Sequence, residues 1–282
     1  MRAALLLVLL IGCDPAAGPS GLPTREFTDS RGKSVKVPHP PGRIVSVVPS
    51  ATELLYAIGA GDQLVGVTTS CDWPPEARSK PKVGSVVIDY ERLASMRPDL
   101  VITSAPQAMK ATGDLEGKGY AVFSVAPTSF EEIAAALRTL GRVTGRDEAG
   151  RKAAEGLEAR VAAVRTPADG PTFYFEHTPE PLGSTGPDSY AGDALRRAGG
   201  KNILTGGWRT IDWEIVMKAD PEVILIAHER RESLERRAGW ADLRAVKSGR
   251  VHFMTQDHFV RPTPRLMDGL EEAAKVFHAK NP

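Results

Sequence analysis

Gly84-Ser85-Val86-Val87-Ile88-Asp89-Tyr90-Glu91, then six residues, then Pro98-Asp99-Leu100-Val101-Ile102, returns later in the chain as Gly207-Trp208-Arg209-Thr210-Ile211-Asp212-Trp213-Glu214, then six residues, then Pro221-Glu222-Val223-Ile224-Leu225. The two stretches match in spacing without a gap and share glycine, isoleucine, aspartate, an aromatic, glutamate and proline at the same places. Each reads as one supersecondary unit. The aspartate caps a short helix, the proline stops it, and the apolar run behind the proline is a buried strand. Helix, proline and strand recur by chance in α/β proteins, but the additional matches make coincidence the weaker explanation. The repeat therefore predicts two similar α/β lobes.

Outward from the first copy, an apolar strand over 43–48 leads into Ser50-Ala51-Thr52-Glu53, a capping box opening a helix that Gly59 ends. A hairpin over 26–38, strands over 64–68 and 120–125 and a helix near 107–118 complete an alternating series, which predicts a mainly parallel sheet covered by helices. The rhythm then changes. A second capping box, Ser129-Phe130-Glu131-Glu132, starts a helix, and 147–166 is charged and alanine-rich with Leu157, Val161 and Val164 at helical spacing. No strand signal separates these two helices, so the second is read as a connector between lobes; a further covering helix of the first lobe is the plainer alternative. Alternation resumes with a strand over 172–176, a helix over 188–198, the second copy, a basic helix near 230–238, a strand over 250–254 and a final helix over 264–279. The expected organisation is an α/β lobe over 25–146, a single long connecting helix over 147–166 and an α/β lobe over 167–282.

The first thirteen residues are of another kind. Met1-Arg2, an apolar run over 3–11 and Leu10-Ile11-Gly12-Cys13 read as a bacterial lipoprotein signal over 1–13, with Cys13 lipidated and 14–24 a flexible tether. An ordinary secretory signal would leave that cysteine unexplained. The expectation is an exported protein, lipid-anchored to the cell (inner) membrane and facing the periplasm or cell exterior. Its 282 residues suffice for two modest domains, and 41% apolar with 25% charged residues is ordinary for a folded chain. A net charge of +1 offers no basic surface for nucleic acid. Cys71, the other cysteine, has no partner for a disulfide within an exported domain.

In open α/β sheets ligands bind beyond the carboxyl ends of the strands, and two lobes can aim both sets of ends at one cleft. The loops expected there carry Ser50; Ser70, Asp72 and Trp73; Ser85 and Val86; His177; Trp208; His228; and Asp257, His258, Phe259 and Arg261. This mixture of aromatic faces, hydroxyls and one Asp/His/Arg cluster suits binding. Enzyme signatures are missing: no Gly-x-Ser-x-Gly elbow, no phosphate-cradling loop and no Gly-x-Gly-x-x-Gly. The six histidines lack metal-ligand spacing, so no metal site is expected.

Four stretches carry a resemblance. Arg43-Ile-Val-Ser-Val-Val-Pro-Ser-Ala-Thr-Glu53, Val65-Gly-Val-Thr-Thr-Ser-Cys-Asp72 and Arg97-Pro-Asp-Leu-Val-Ile102, with Asp257-His-Phe-Val-Arg-Pro-Thr-Pro-Arg265 near the end, resemble the helical-backbone class of ABC-transporter substrate-binding proteins, and within it the vitamin B12 binders. The resemblance implies two lobes joined by one helix, a monomer, and a role in capture and delivery to a permease and its ATPase, without catalysis or cofactor. It implies that Glu91 and Glu214, the glutamates of the two copies, dock on permease arginines, which suits carboxylates in the first turn of a helix. It further implies that Trp208, Asp257, His258, Phe259 and Arg261 touch a cobalamin or other corrinoid. This chain departs from the pattern at Ser70 and Val86, where B12 binders place aromatics, and Trp73 suits packing as well as contact. Haem or a ferric siderophore is the alternative ligand, the first requiring an axial donor such as His258, the second an arginine cluster for which Arg209 and Arg261 are few. An exported metal-dependent enzyme is the remaining alternative.

Overall fold

The computed structural model describes residues 23–104, 109–167, 169–230 and 234–279. In the first lobe four parallel strands stand in the order Leu64–Val67, Ile44–Ser46, Leu100–Thr103, Val122–Ser124. In the second the order is Lys201–Asn202, Thr172–Glu176, Val223–Ile226, Val251–Phe253, again all parallel. Each sheet thus runs 2-1-3-4 in the order its own strands occur along the chain. The repeat supplies the third strand of each. All eight residues of Leu100–Thr103 and Val223–Ile226 are buried, as their unbroken apolar character requires of strands covered on both faces.

The copies also match where the sequence gives no hint. Among the described residues, Arg97 and Asp220 are the two non-glycine residues with positive φ, each at 42°, and they occupy the same place in the repeat, just before the proline. Proline disfavours a helical residue in front of it. Both short helices, Tyr90–Ser95 and Trp213–Ala219, therefore give way to a left-handed turn that swings the chain into the strand. The caps differ. Asp89 accepts a bond from the Arg92 N–H at 3.0 Å, whereas Asp212 holds the N-cap position without a side-chain bond.

Helix Phe130–Thr144 starts as expected, with Ser129 Oγ accepting from the Glu132 N–H, and turns through Gly145 into helix Asp147–Ala163. The second helix lies antiparallel on the first, joined by Arg138–Glu158 at 2.6 Å, and at its far end Arg160 reaches Asp268 and Glu271 of the final helix, Leu266–His278. It therefore covers the first lobe and spans to the second. The crossing is closest at Gly141 and Gly150: a Cβ on Gly150 would stand 2.6 Å from the Leu137 carbonyl oxygen and 2.9 Å from Gly141 Cα. Alanine raises helix propensity by about 1 kcal/mol, but here backbone blocks it. Gly150→Ala is expected to destabilise the protein by about 1–3 kcal/mol in urea unfolding, and a stabilised variant would refute this close crossing.

The main apolar core is shared by the lobes. It joins Leu54, Phe123 and Leu137 of the first to Phe175, Leu195 and Phe277 of the second, so drawing the lobes apart would expose apolar surface.

Three local expectations need correction. The helix expected from a capping box at 50–53 begins at Pro49 with Val48 as N-cap, because proline at the first helical position presets φ and lacks the N–H a cap would satisfy. The basic helix near 230–238 is not formed over 234–238, which make turns, while 231–233 lie outside the described residues; Arg237 is drawn inward to a buried carboxylate instead. A three-stranded antiparallel sheet, ordered Trp208–Thr210, Leu182–Thr185, Thr178–Pro179, was not expected at all.

Candidate functional site

The carboxyl ends of both sheets open on one cavity of about 330 Å³ between the lobes. Its first-lobe wall is Val48, Pro49, Ser50, Ser104 and the segment Ala126-Pro127-Thr128; its second-lobe wall is Asp188, Ser189, Tyr190, Trp208 and Val260-Arg261-Pro262. A second cavity, about 310 Å³, lies within the first lobe beside the N-terminal hairpin. Its polar groups are already committed, Asp29 to Arg31 and Ser124, Glu132 to Thr128, so the interlobe cavity is the better candidate.

The unexpected sheet builds the aromatic wall. Register pairs Trp208 with Thr185, and the indole sits 4.6 Å from the His177 ring and 5.5 Å from the Tyr190 ring. Tyr190 begins helix Tyr190–Arg197, whose cap, Ser189 Oγ, accepts from the Gly192 N–H at 3.0 Å and from Thr185 Oγ1 at 2.8 Å. The Tyr190 hydroxyl donates to the Val260 carbonyl at 3.1 Å, and burial pushes the phenol up to about 12, so it is neutral at physiological pH.

Arg261, on the cavity wall, also ties the two lobes together. Its Nη1 donates to Glu53 and to Asp72, both at 2.7 Å, and its Nη2 to the Ser70 carbonyl at 3.1 Å. Glu53, 4% exposed, also accepts from Thr263 Oγ1 at 2.8 Å and from Arg265 at 3.3 Å. One buried carboxylate of the first lobe thus holds three donors from the loop preceding the last helix. That loop forms the cavity edge at Val260-Arg261-Pro262, so the clasp fixes the width of the cleft on that side.

Of the residues expected at a ligand, Ser50, Trp208 and Arg261 share the cavity wall. Ser70 and Asp72 serve the clasp. Trp73, 41% exposed, lies under the Arg265 guanidinium at 4.4 Å in a separate cavity of about 210 Å³. Ser85 and Val86 are exposed on the loop before helix Tyr90–Ser95 and are not part of the wall, Val86 being 94% exposed. Asp257 pairs with Arg265 at 3.4 Å, and His258 Nδ1 lies 3.0 Å from Glu272. Phe259 is 1% exposed and packs on Phe175 at 5.3 Å, part of the core that supports the wall. Tyr190, Asp188 and Glu53 escaped the sequence reading; only the Ser189 helix start, one residue before an aromatic, could have pointed to Tyr190.

His228 is 8% exposed with Nε2 2.8 Å from Glu176, which Arg237 also grips with two bonds of 2.6 and 2.7 Å. The Arg230 N–H points at His228 Nδ1, so Nε2 carries the proton and donates. Among the described residues no group of His, Cys, Asp and Glu is arranged to hold a metal ion.

Glu91 and Glu214 are both exposed in the first turn of their helices, and neither carboxylate has a partner among the described residues. Aromatics at the two helix starts fix them. Tyr90 lies under Lys118 at 4.9 Å, while Trp213 lies under Arg237 at 5.0 Å and donates from Nε1 to the Ala238 carbonyl at 2.9 Å. Cys13 lies outside the described residues.

Comparison with known proteins agrees with this architecture. The family described as periplasmic binding protein matches residues 44–258. The ABC transporter substrate-binding lipoprotein YvrC of Bacillus subtilis is 30% identical over 301 aligned residues, covering 98% of this chain and 96% of that one. The vitamin B12-binding protein of Vibrio cholerae is 30% identical over 244 residues, covering 83% of this chain and 88% of its own. A crystal structure of BtuF, the periplasmic vitamin B12 binding protein of Vibrio cholerae, superposes with a TM-score of 0.72 at 25% identity over 84% of this chain and 97% of that one. The periplasmic heme-binding protein RhuT of Roseiflexus shares the fold, with a TM-score of 0.69 at 24% identity over 84% of this chain and 97% of that one. The family match over most of the chain and the 30% identity to these relatives along nearly their whole length show that the chain belongs to the periplasmic binding protein family, as a substrate-binding protein of an ABC transporter.

Proposed function

We propose that this protein captures vitamin B12 or a related corrinoid and delivers it to a membrane permease, held near the membrane by a lipid on Cys13. The observation that carries the reading is the aromatic wall of Trp208 and Tyr190 inside an interlobe cavity whose other groups are mostly aliphatic and proline side chains interspersed with four hydroxyls, Ser50, Ser104, Thr128 and Ser189. A corrinoid is a broad disc edged with amides. Flat aromatic faces take its apolar surface, and hydroxyls and carbonyls serve the amides. A cavity of about 330 Å³ is at the small end for such sites, so the disc would be gripped over part of its surface with the remainder outside.

Haem is the second reading, favoured by the shared fold with RhuT. It needs an axial donor. Tyr190 is held as a neutral phenol bonded to the Val260 carbonyl, His258 faces Glu272, and His177 stacks on Trp208 outside the cavity wall. These engagements favour the corrinoid.

Isothermal titration of the chain from residue 14 onward tests the choice, with cyanocobalamin, cobinamide, haemin and ferric siderophores as probes. Saturable corrinoid binding is expected, weakened at least about thirtyfold by Trp208→Ala, as for an aromatic anchor worth 2 kcal/mol or more. Tight haemin binding with no corrinoid heat would transfer the assignment to haem.

A further inference from the structure

The charge of the cavity is set by two groups on opposite sides. Arg261, the one cation on the described wall, is already held by two carboxylates: Glu53, Asp72 and the Ser70 carbonyl take three of its five N–H donors. Asp188 on the second-lobe wall is exposed, and its carboxylate has no partner among the described residues. It stands immediately before Ser189, the cap of helix Tyr190–Arg197, so the positive end of that helix dipole faces this chain's own anion rather than a ligand's. Across the cavity, helix Pro49–Ala57 begins at the wall with no side-chain cap; Pro49 has no N–H and the Thr52 N–H donates to the Val48 carbonyl, which leaves the N–H groups of Ser50 and Ala51 without a helical acceptor. One wall therefore accepts hydrogen bonds with a full negative charge and the other donates them.

We propose that Asp188 is the specificity-determining residue of the cleft, selecting neutral or cationic ligands that present N–H donors, primary carboxamides above all, and rejecting polyanionic ones. A carboxamide matches both walls, giving its N–H to Asp188 and its carbonyl to the opposite side. A porphyrin carboxylate or an anionic ferric chelate would set like charges together, with the one cation of the described wall, Arg261, already paired to Glu53 and Asp72. The inference rests on the reading of this cavity as the ligand site.

Wild type, Asp188→Asn and Asp188→Lys are titrated with cyanocobalamin, cationic diaquacobinamide and haemin, with melting curves for each variant. Asp188 is exposed and unpartnered, so neither substitution breaks packing and all three proteins should melt alike. Expected results are a roughly tenfold loss of corrinoid affinity in Asp188→Asn, a larger loss for cobinamide than for cyanocobalamin in Asp188→Lys, and a gain of about tenfold or more for haemin in Asp188→Lys. Unchanged affinities in both variants overturn the proposal. If wild type binds neither corrinoid, the corrinoid reading falls by itself, and haemin alone then decides: a gain in Asp188→Lys upholds the role of Asp188, and no gain removes it.

Discussion

Glu53→Ala is expected to destabilise the protein by about 3–5 kcal/mol, the cost of removing one partner from a buried ion pair. For a chain of this size that corresponds to a fall in melting temperature of roughly ten degrees. The reason is what the carboxylate leaves behind. Thr263 is fully buried and loses the acceptor of its hydroxyl, and Arg261, 18% exposed at its side chain, keeps only the solvent-facing Asp72 as a charged partner beside the Ser70 carbonyl. Replacing the pair by apolar residues, as in Glu53→Leu with Arg261→Met, should recover most of the loss, because an uncompensated buried charge costs more than no charge. A urea-unfolding cycle over the two singles and the double measures the coupling. A single-variant cost below about 1 kcal/mol would put Glu53 among surface pairs and dissolve the clasp. Acid should loosen it too. Desolvation alone would raise the Asp72 carboxyl, but the bond from Arg261 outweighs it and holds the group below the usual carboxylate range. A depressed pKa contributes stability above its unfolded value and loses it as pH falls, so Asp72 should release Arg261 below about pH 4.

The clasp also shows what the sequence could and could not convey. Two lobes, parallel sheets and third strands lying behind the prolines were legible, because buried strands and helix stops write themselves into local pattern. The matched placement of Glu91 and Glu214 was legible for the same reason: they sit at a fixed distance from those signals in both copies. The cavity wall was not. Glu53 looks in sequence like the last residue of a capping box, and only the approach of Arg261, over two hundred residues away, reveals it as a bridge between lobes. Phe259 and Trp208 both read as loop aromatics in sequence, yet one fills the core and the other, on a short strand, lines the cavity. That difference is made by an antiparallel sheet whose strands, some only two or three residues long, are too short to carry a period. Tertiary placement decides such residues, and local propensity is silent about it.

Replacing Glu91 and Glu214 together by alanine is expected to abolish stimulation of the transporter's ATPase while leaving ligand affinity within about twofold. Both carboxylates are exposed, unpaired among the described residues and not part of the cavity wall, so their loss should disturb neither the fold nor the cleft. What they offer is a pair of anionic knobs held at fixed separation. The helices that carry them end in the same left-handed turn and lead into the same central strand of each sheet, and an aromatic under a cation pins each start. A flexible acid would lose side-chain and backbone freedom on docking; these helix starts are already ordered, which lowers that cost and favours forked contacts with guanidinium groups. Because each knob belongs to its own lobe, a permease that grips both senses the spacing of the lobes, and the spacing is what the Glu53 clasp and the shared core hold constant. Each single alanine variant should therefore lose most of the stimulation, since one contact reports nothing about lobe spacing. ATPase assays with the cognate permease in proteoliposomes, run beside ligand titration, separate the outcomes: additive partial losses would mean independent contacts, and weakened ligand binding would place the glutamates in the cleft.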